Sequence, residues 1–258
     1  MRRLSLPLVV AACVALAALL TWLVLSSAGF GDRATRADAG PARADPATRA
    51  LPPFTRLDVS GMAEVVLVQG AAESVAVAAG GRKAAPVEAQ VRGDTLYLTA
   101  IDDSRWWDRL FGSGVRPAHV VVNVRELAQV DAAGTVKLTA GSLRAPALKI
   151  AGAGGTEIRI DDLQAQKLEL AGAGALKAEI AGSVTEQSVA ISGAGEYRGA
   201  RLASDTASVS VAGAGKVIVN VRRSLDAAIS GAGSVEYVGD PKVTERISGL
   251  GRVQRRDH

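Results

Sequence analysis

The sequence predicts an all-β chain, a right-handed parallel β-helix or solenoid whose coils are about 20 residues long. Three observations predict it. Six Gly-x-Gly tripeptides begin at Gly152, Gly172, Gly193, Gly213, Gly231 and Gly249, in steps of 20, 21, 20, 18 and 18 residues. Between them run short segments with the period-2 alternation of half-buried strands, such as Glu64-Val65-Val66-Leu67-Val68 and Val120-Val121-Val122-Asn123-Val124. After the N-terminal leader, no long stretch carries helical periodicity.

The leader comes first. Met1-Arg2-Arg3 precedes an apolar run of 22 residues from Leu4 to Leu25. That is close to the ~20 residues of a membrane-spanning helix and longer than the about 7–15 of most signal-peptide cores. Ser26-Ser27-Ala28 nevertheless offers small residues for cleavage. Residues 1–28 are therefore read as either a signal peptide or an uncleaved anchor helix, and in both cases the remainder is exported. Cys13, the only cysteine, follows Val10-Ala11-Ala12 in the manner of a bacterial lipobox. The apolar run continues past it, however, which favours a plain residue of the apolar helix. A single cysteine excludes an intrachain disulfide, so packing alone must hold the exported part.

Residues 29–53 are rich in Ala, Arg, Asp, Pro and Thr without apolar periodicity and are read as a disordered spacer. The solenoid is placed at 54–252, followed by a basic tail at 253–258. Setting aside Arg2 and Arg3, 28 basic residues face 26 acidic ones, scattered along the chain apart from Arg252, Arg255 and Arg256. That is not the clustered basic stripe, interleaved with aromatics, of a nucleic-acid partner.

Each coil repeats one grammar. After Gly152-Ala153-Gly154 comes Gly155-Thr156-Glu157-Ile158-Arg159-Ile160, a polar corner at Asp161-Asp162, and a second strand Lys167-Leu168-Glu169-Leu170. Ile158, Ile160, Leu168 and Leu170 are expected inside, with Glu157, Arg159, Lys167 and Glu169 outside. A degenerate coil precedes these at Gly134. The structural glycines are Gly134, Gly152, Gly154, Gly172, Gly174, Gly193, Gly195, Gly213, Gly215, Gly231, Gly233, Gly249 and Gly251. Glycine suits a sharp corner because it takes positive φ without a Cβ penalty, and coils stacked about 4.8 Å apart repeat that corner directly above itself. A dinucleotide fingerprint would need a third glycine three residues on, opening a helix; after the first pair that position is Glu157.

From about Phe54 to Arg252 the chain resembles the head GIN domain family of putative auto-transporter adhesins. The resemblance rests on Phe54-Thr55-Arg56-Leu57-Asp58-Val59-Ser60-Gly61 with Glu64-Val65-Val66-Leu67-Val68-Gln69-Gly70, and on Val120-Val121-Val122-Asn123-Val124-Arg125-Glu126-Leu127. It rests most on Ile191-Ser192-Gly193-Ala194-Gly195 and Ile229-Ser230-Gly231-Ala232-Gly233. Where the family usually has proline before Glu-Leu, this chain has Arg125. The resemblance implies an exported bacterial β-solenoid and, through the family's name, adhesion; it carries no catalytic or ligand motif onto these residues.

Chemistry is sparse. His119 and the terminal His258 are the only histidines, and period 2 turns His119 to solvent with Val121 and Asn123. No histidine-dependent triad, zinc site or cofactor is expected. Asp102-Asp103 and Asp161-Asp162 are the adjacent acidic pairs, and the latter falls where aspartate closes turns. One segment breaks the pattern, Asp102-Asp103-Ser104-Arg105-Trp106-Trp107-Asp108-Arg109-Leu110-Phe111-Gly112. It reads as a cap folding Trp106, Leu110 and Trp107 over an open end of the solenoid. The alternatives are a ligand or partner site built on Asp102, Asp103, Arg105, Trp106 and Trp107, or a membrane contact.

The function expected is a non-catalytic binding or adhesion module of the bacterial envelope, periplasmic or inner-membrane anchored. It would hold the membrane through its N-terminal helix and meet a glycan or an envelope protein. A polysaccharide-processing β-helix enzyme and a self-associating structural element are the alternatives.

Overall fold

The computed structural model describes residues 48–77, 87–100 and 117–256. The described residues are all-β, without a helix, and form one large mixed sheet. The strands are β1 (Thr48–Ala50), β2 (Arg56–Gln69), β3 (Ser74–Val77), β4 (Val87–Arg92), β5 (Thr95–Ala100), β6 (Ala118–Val124), β7 (Gln129–Gly231), β8 (Ser234–Val238), β9 (Lys242–Gly249) and β10 (Arg252–Arg255). The leader expected over 1–28 lies outside the described residues. No helix among the described residues is long and apolar enough to cross a membrane.

Most of the pairing is parallel. β2 lies on the start of β7 from Arg56↔Gln129 to Leu67↔Ala140. β8 and β9 lie on its end, with Val217↔Val235 and Gly231↔Gly249 in register, and β10 extends β8. The other side of β2 carries β5 and β6, also parallel. Antiparallel pairing is confined to the N-terminal side, where β4 lies on β5, β3 on β6 and β1 on β3. β1 falls within the stretch expected to be spacer, so the sheet begins before Phe54. Phe54 itself is fully buried.

β7 is an unbroken run of 103 residues in extended conformation, and it bends where glycines take positive φ. One column of them fixes the stacking. A Cβ on Gly134, Gly154, Gly174, Gly193, Gly231 or Gly249 would lie 2.5–2.7 Å from the carbonyl oxygen of Gly61, Gly134, Gly154, Gly174, Gly213 or Gly231 respectively. Gly213 meets the Gly193 carbonyl in the same way. Every member has φ between 96° and 125°, so both conformation and space exclude a side chain.

This column sets the phase of the repeat. In the first two tripeptides the corner is the second glycine, Gly154 or Gly174; from Gly193 onward it is the first. The other glycine of each pair makes room for a side chain, four residues away in every pair but the last, where Gly251 meets Ile229 of an earlier rung. A Cβ on Gly152 would meet Thr156, and one on Gly172 would meet Leu176. Gly195, Gly233 and Gly251 similarly face Ile191, Ile229 and again Ile229. The two inward positions flanking a corner share one space, so a bulky residue on one side requires a small one on the other.

The inward positions are mostly apolar, with Thr156 buried at one of them and its hydroxyl without a hydrogen-bond partner among the described residues. Ile158, Ile160, Leu168 and Leu170 are each at most 2% exposed, and burying each contributes about 1.5–3 kcal/mol. A polar chain runs through this core across neighbouring rungs. Tyr197 Oη donates to Gln187 Oε1 (3.0 Å), Gln187 Nε2 donates to Ser204 Oγ (2.7 Å), and Ser204 Oγ donates to the Asn220 carbonyl (2.8 Å). Gly199 leaves the space that the Tyr197 ring fills. Burial drives the Tyr197 hydroxyl far above its ordinary pKa, so it stays a neutral donor.

Candidate binding surface

The aromatic insert, with Asp102, Asp103, Arg105, Trp106 and Trp107, lies outside the described residues, but its two ends are placed. Ala100 pairs with Gly61 and Ala118 with Ala63. The chain therefore leaves and rejoins its rung within two residues of the glycine corner at Gly61. The same edge carries a shallow groove of about 360 Å³. Pro117 lines one part of it, Gly155, Ala175 and Ala194 make a floor of small residues, and Glu64, Lys137, Glu157 and Lys177 also line it.

Those charged residues sit three positions after successive corner glycines, and their signs alternate. His119 Nδ1 and Lys137 Nζ approach opposite oxygens of Glu64 at 3.0 and 2.9 Å, and Lys177 Nζ lies 3.7 Å from Glu157. The hydrogen bond from Lys137 is the largest influence on Glu64 and holds its carboxyl below the usual range, with the charges of Lys137 and His119 adding to it. The same sequence position continues with Glu196 and Lys216, then Ser234 and Arg252, where the alternation ends. A neighbouring column repeats the device, where Arg159 faces Glu179 at 3.6 Å and Arg201 Nη2 donates to Glu179 at 2.7 Å. In-register stacking brings equivalent residues side by side, and like charges there would repel.

His119 projects to solvent, as its strand parity requires, and pairs with Glu64. Asp161 accepts from Arg159 Nε and Asp162 from Gln164 Nε2, so these carboxylates do not converge on one point. Among the described residues no three His, Cys, Asp or Glu side chains gather as a metal centre requires. Arg125, at the departure from the family pattern, donates to the Ala71 carbonyl at 3.0 Å and lies 3.7 Å from Glu73. The alternating ladder is absent from the sequence reading above, although its signal is legible: Lys137, Glu157, Lys177, Glu196 and Lys216 recur with changing sign at steps of 20, 20, 19 and 20 residues.

No curated protein matches the chain. Solved structures share its fold. A putative adhesin from Bacteroides fragilis aligns over 81% of this chain and 95% of its own, with a TM-score of 0.70 and 18% identity. A putative adhesin from Parabacteroides distasonis covers 81% and 95% at a TM-score of 0.59 and 18% identity. A protein from the same organism described as a putative lipid binding protein covers 83% and 98%, at 0.57 and 20%. At such identities the likeness is one of fold. The sequence profile described as putative auto-transporter adhesin, head GIN domain, matches residues 53–241, and the chain belongs to that family.

Proposed function

We propose that this chain is a non-catalytic, exported envelope module that binds or adheres through the outer faces of a right-handed parallel β-solenoid. The observation that carries the reading is the single column of corner glycines, each seated against the carbonyl of the one before. Such stacking repeats every outward side-chain position rung after rung, which suits many weak contacts along a rigid face. Membership of a family named for adhesion supports the same use. The apolar run Leu4–Leu25 would tether the module to the membrane or direct its export. Trp106 and Trp107 would supply stacking contacts for a sugar ring.

The test compares the full chain with its Trp106→Ala/Trp107→Ala variant on peptidoglycan, lipopolysaccharide and a glycan array, scoring retention and sugar release together. Retention without release, lost in the variant, is expected. Release of sugar would replace this reading with a polysaccharide-processing enzyme, and equal retention by both proteins would move the contact away from the tryptophans.

A further inference from the structure

The two ends of the sheet are finished differently. On the N-terminal side the antiparallel strands β1, β3 and β4 lie over the parallel rungs, and Val87, Ala89 and Val91 of β4 pack partly against the core. On the C-terminal side β9 and β10 pair only with the rung below, β7 and β8. Among the described residues nothing pairs with their outer edge. Their apolar row is left half covered. Ile229, in register one rung down, is 2% exposed, whereas Ile247 is 42% exposed, and Glu245 stands between Val243 and Ile247 in the same row, over buried Ala227.

Charge distinguishes what fits there. Residues 242–256 hold five basic residues, Lys242, Arg246, Arg252, Arg255 and Arg256, against one acidic residue, Glu245. Arg246 meets Asp226 and Arg256 meets Glu236 on the rung below. Lys242 and Arg252 are exposed and have no carboxylate partner among the described residues. In register beneath Lys242, Arg246 and Arg252 lie the uncharged Ser224, Ala228 and Ser234, so the excess positive charge of this rung is complemented by an acidic neighbour. A second copy meeting this edge with its own would instead set base against base.

We propose that the outer edge of β9 and β10 is a docking strand for an acidic, extended polypeptide segment. The segment adds to the sheet as one further rung. Its backbone takes up the unpaired N–H and C=O groups, carboxylates sit over Lys242, Arg246 and Arg252, and alternate apolar side chains cover Val243, Ile247 and Val253. This surface is distinct from the groove and insert to which adhesion is assigned, and it stands whether or not that assignment does.

The probe is an end-blocked dodecapeptide of alternating Glu and Val, with a Lys and Val counterpart as control. Both are titrated by fluorescence anisotropy against the full chain in detergent. The acidic peptide is expected to bind at least about tenfold more tightly than the basic one and to weaken at high salt. Lys242→Glu/Arg252→Glu should reverse the preference, since both side chains are exposed and their exchange leaves the packing intact; circular dichroism checks that the fold is unchanged. Hydrogen exchange should slow in β9 and β10 on binding. Binding of neither peptide, equal binding of both, or an unchanged preference in the variant would overturn the proposal. So would self-association of the chain that blocks the acidic peptide and survives the double reversal.

Discussion

Asp58 shows how one residue can carry a cost set far away in sequence. It pairs with Asp131 on the adjoining rung, and Gln129 Nε2 donates to Asp131 at 2.6 Å. Burial first, and the Asp131 charge second, raise the Asp58 carboxyl above its ordinary 3.8. The folded state therefore holds this proton more tightly than the unfolded chain does. Stability is favoured while Asp58 is protonated and falls as pH rises from 3.8 through the raised folded-state value. Asp58→Asn removes that loss. Urea denaturation at pH 7 should show the variant more stable by up to about 1 kcal/mol, since solvent screens the half-buried pair. The gain should fade as pH falls below 3.8, where wild-type Asp58 becomes protonated in the unfolded chain as well. Strand parity puts Asp58 on the face opposite buried Leu57 and Val59. It could not bring Asp58 to Asp131, because the register between β2 and β7 spans an irregular stretch rather than one 20-residue step. The Tyr197–Gln187–Ser204 chain escaped notice for a related reason: each member reads alone as a strand residue, and only stacking joins them.

At the scale of the element, the two glycines of each tripeptide have different tasks, and substitution separates them. Gly193 has a φ of 118°, and its Cβ would meet the Gly174 carbonyl at 2.7 Å. Gly193→Ala should therefore cost about 1–3 kcal/mol in backbone strain alone, with the backbone contact adding to it. A Cβ on Gly195 instead meets the Ile191 side chain at 2.8 Å. Gly195→Leu should destabilise the chain through overpacking by about 1–3 kcal/mol. Adding Ile191→Gly should restore part of that loss, because it reproduces the arrangement of Gly172 and Leu176 one rung earlier. A double-mutant cycle read by urea denaturation should give a coupling of at least about 1 kcal/mol for positions 191 and 195. The same Ile191→Gly change should not rescue Gly193→Ala. The period of the coil was legible because glycine marks every corner. The phase was not, since Gly-x-Gly looks identical whether its first or second member turns the chain, and the bulky residue that decides it stands two positions outside the tripeptide.

For the whole molecule, stacking makes stability a property of neighbours. A rung in the middle of β7 is covered above and below, whereas among the described residues the β9–β10 rung is covered on one face only. Repeat arrays sum intrinsic and nearest-neighbour terms, so the last rung lacks one interface while still bearing its ordering cost. Its exposed Ile247 and Leu250 recover little by burial, and its cluster of basic residues repels itself. Native-state hydrogen exchange should therefore be graded along the array. Amides of Lys242–Gly249 and Arg252–Arg255 should open with free energies several kcal/mol below those of the β7 segment from Ile150 to Val221. The strands of the N-terminal side, which carry antiparallel β3 and β4 over their outer edges, should exchange more slowly than the C-terminal rung. Raising salt should slow exchange at the C-terminal rung by screening its like charges, with little effect on the apolar centre. Uniform protection across both ends would mean that β9 and β10 are held by contacts other than the pairing with β7 and β8. A graded profile would instead make that rung the point where the array is least complete, and where an added strand gains most by pairing.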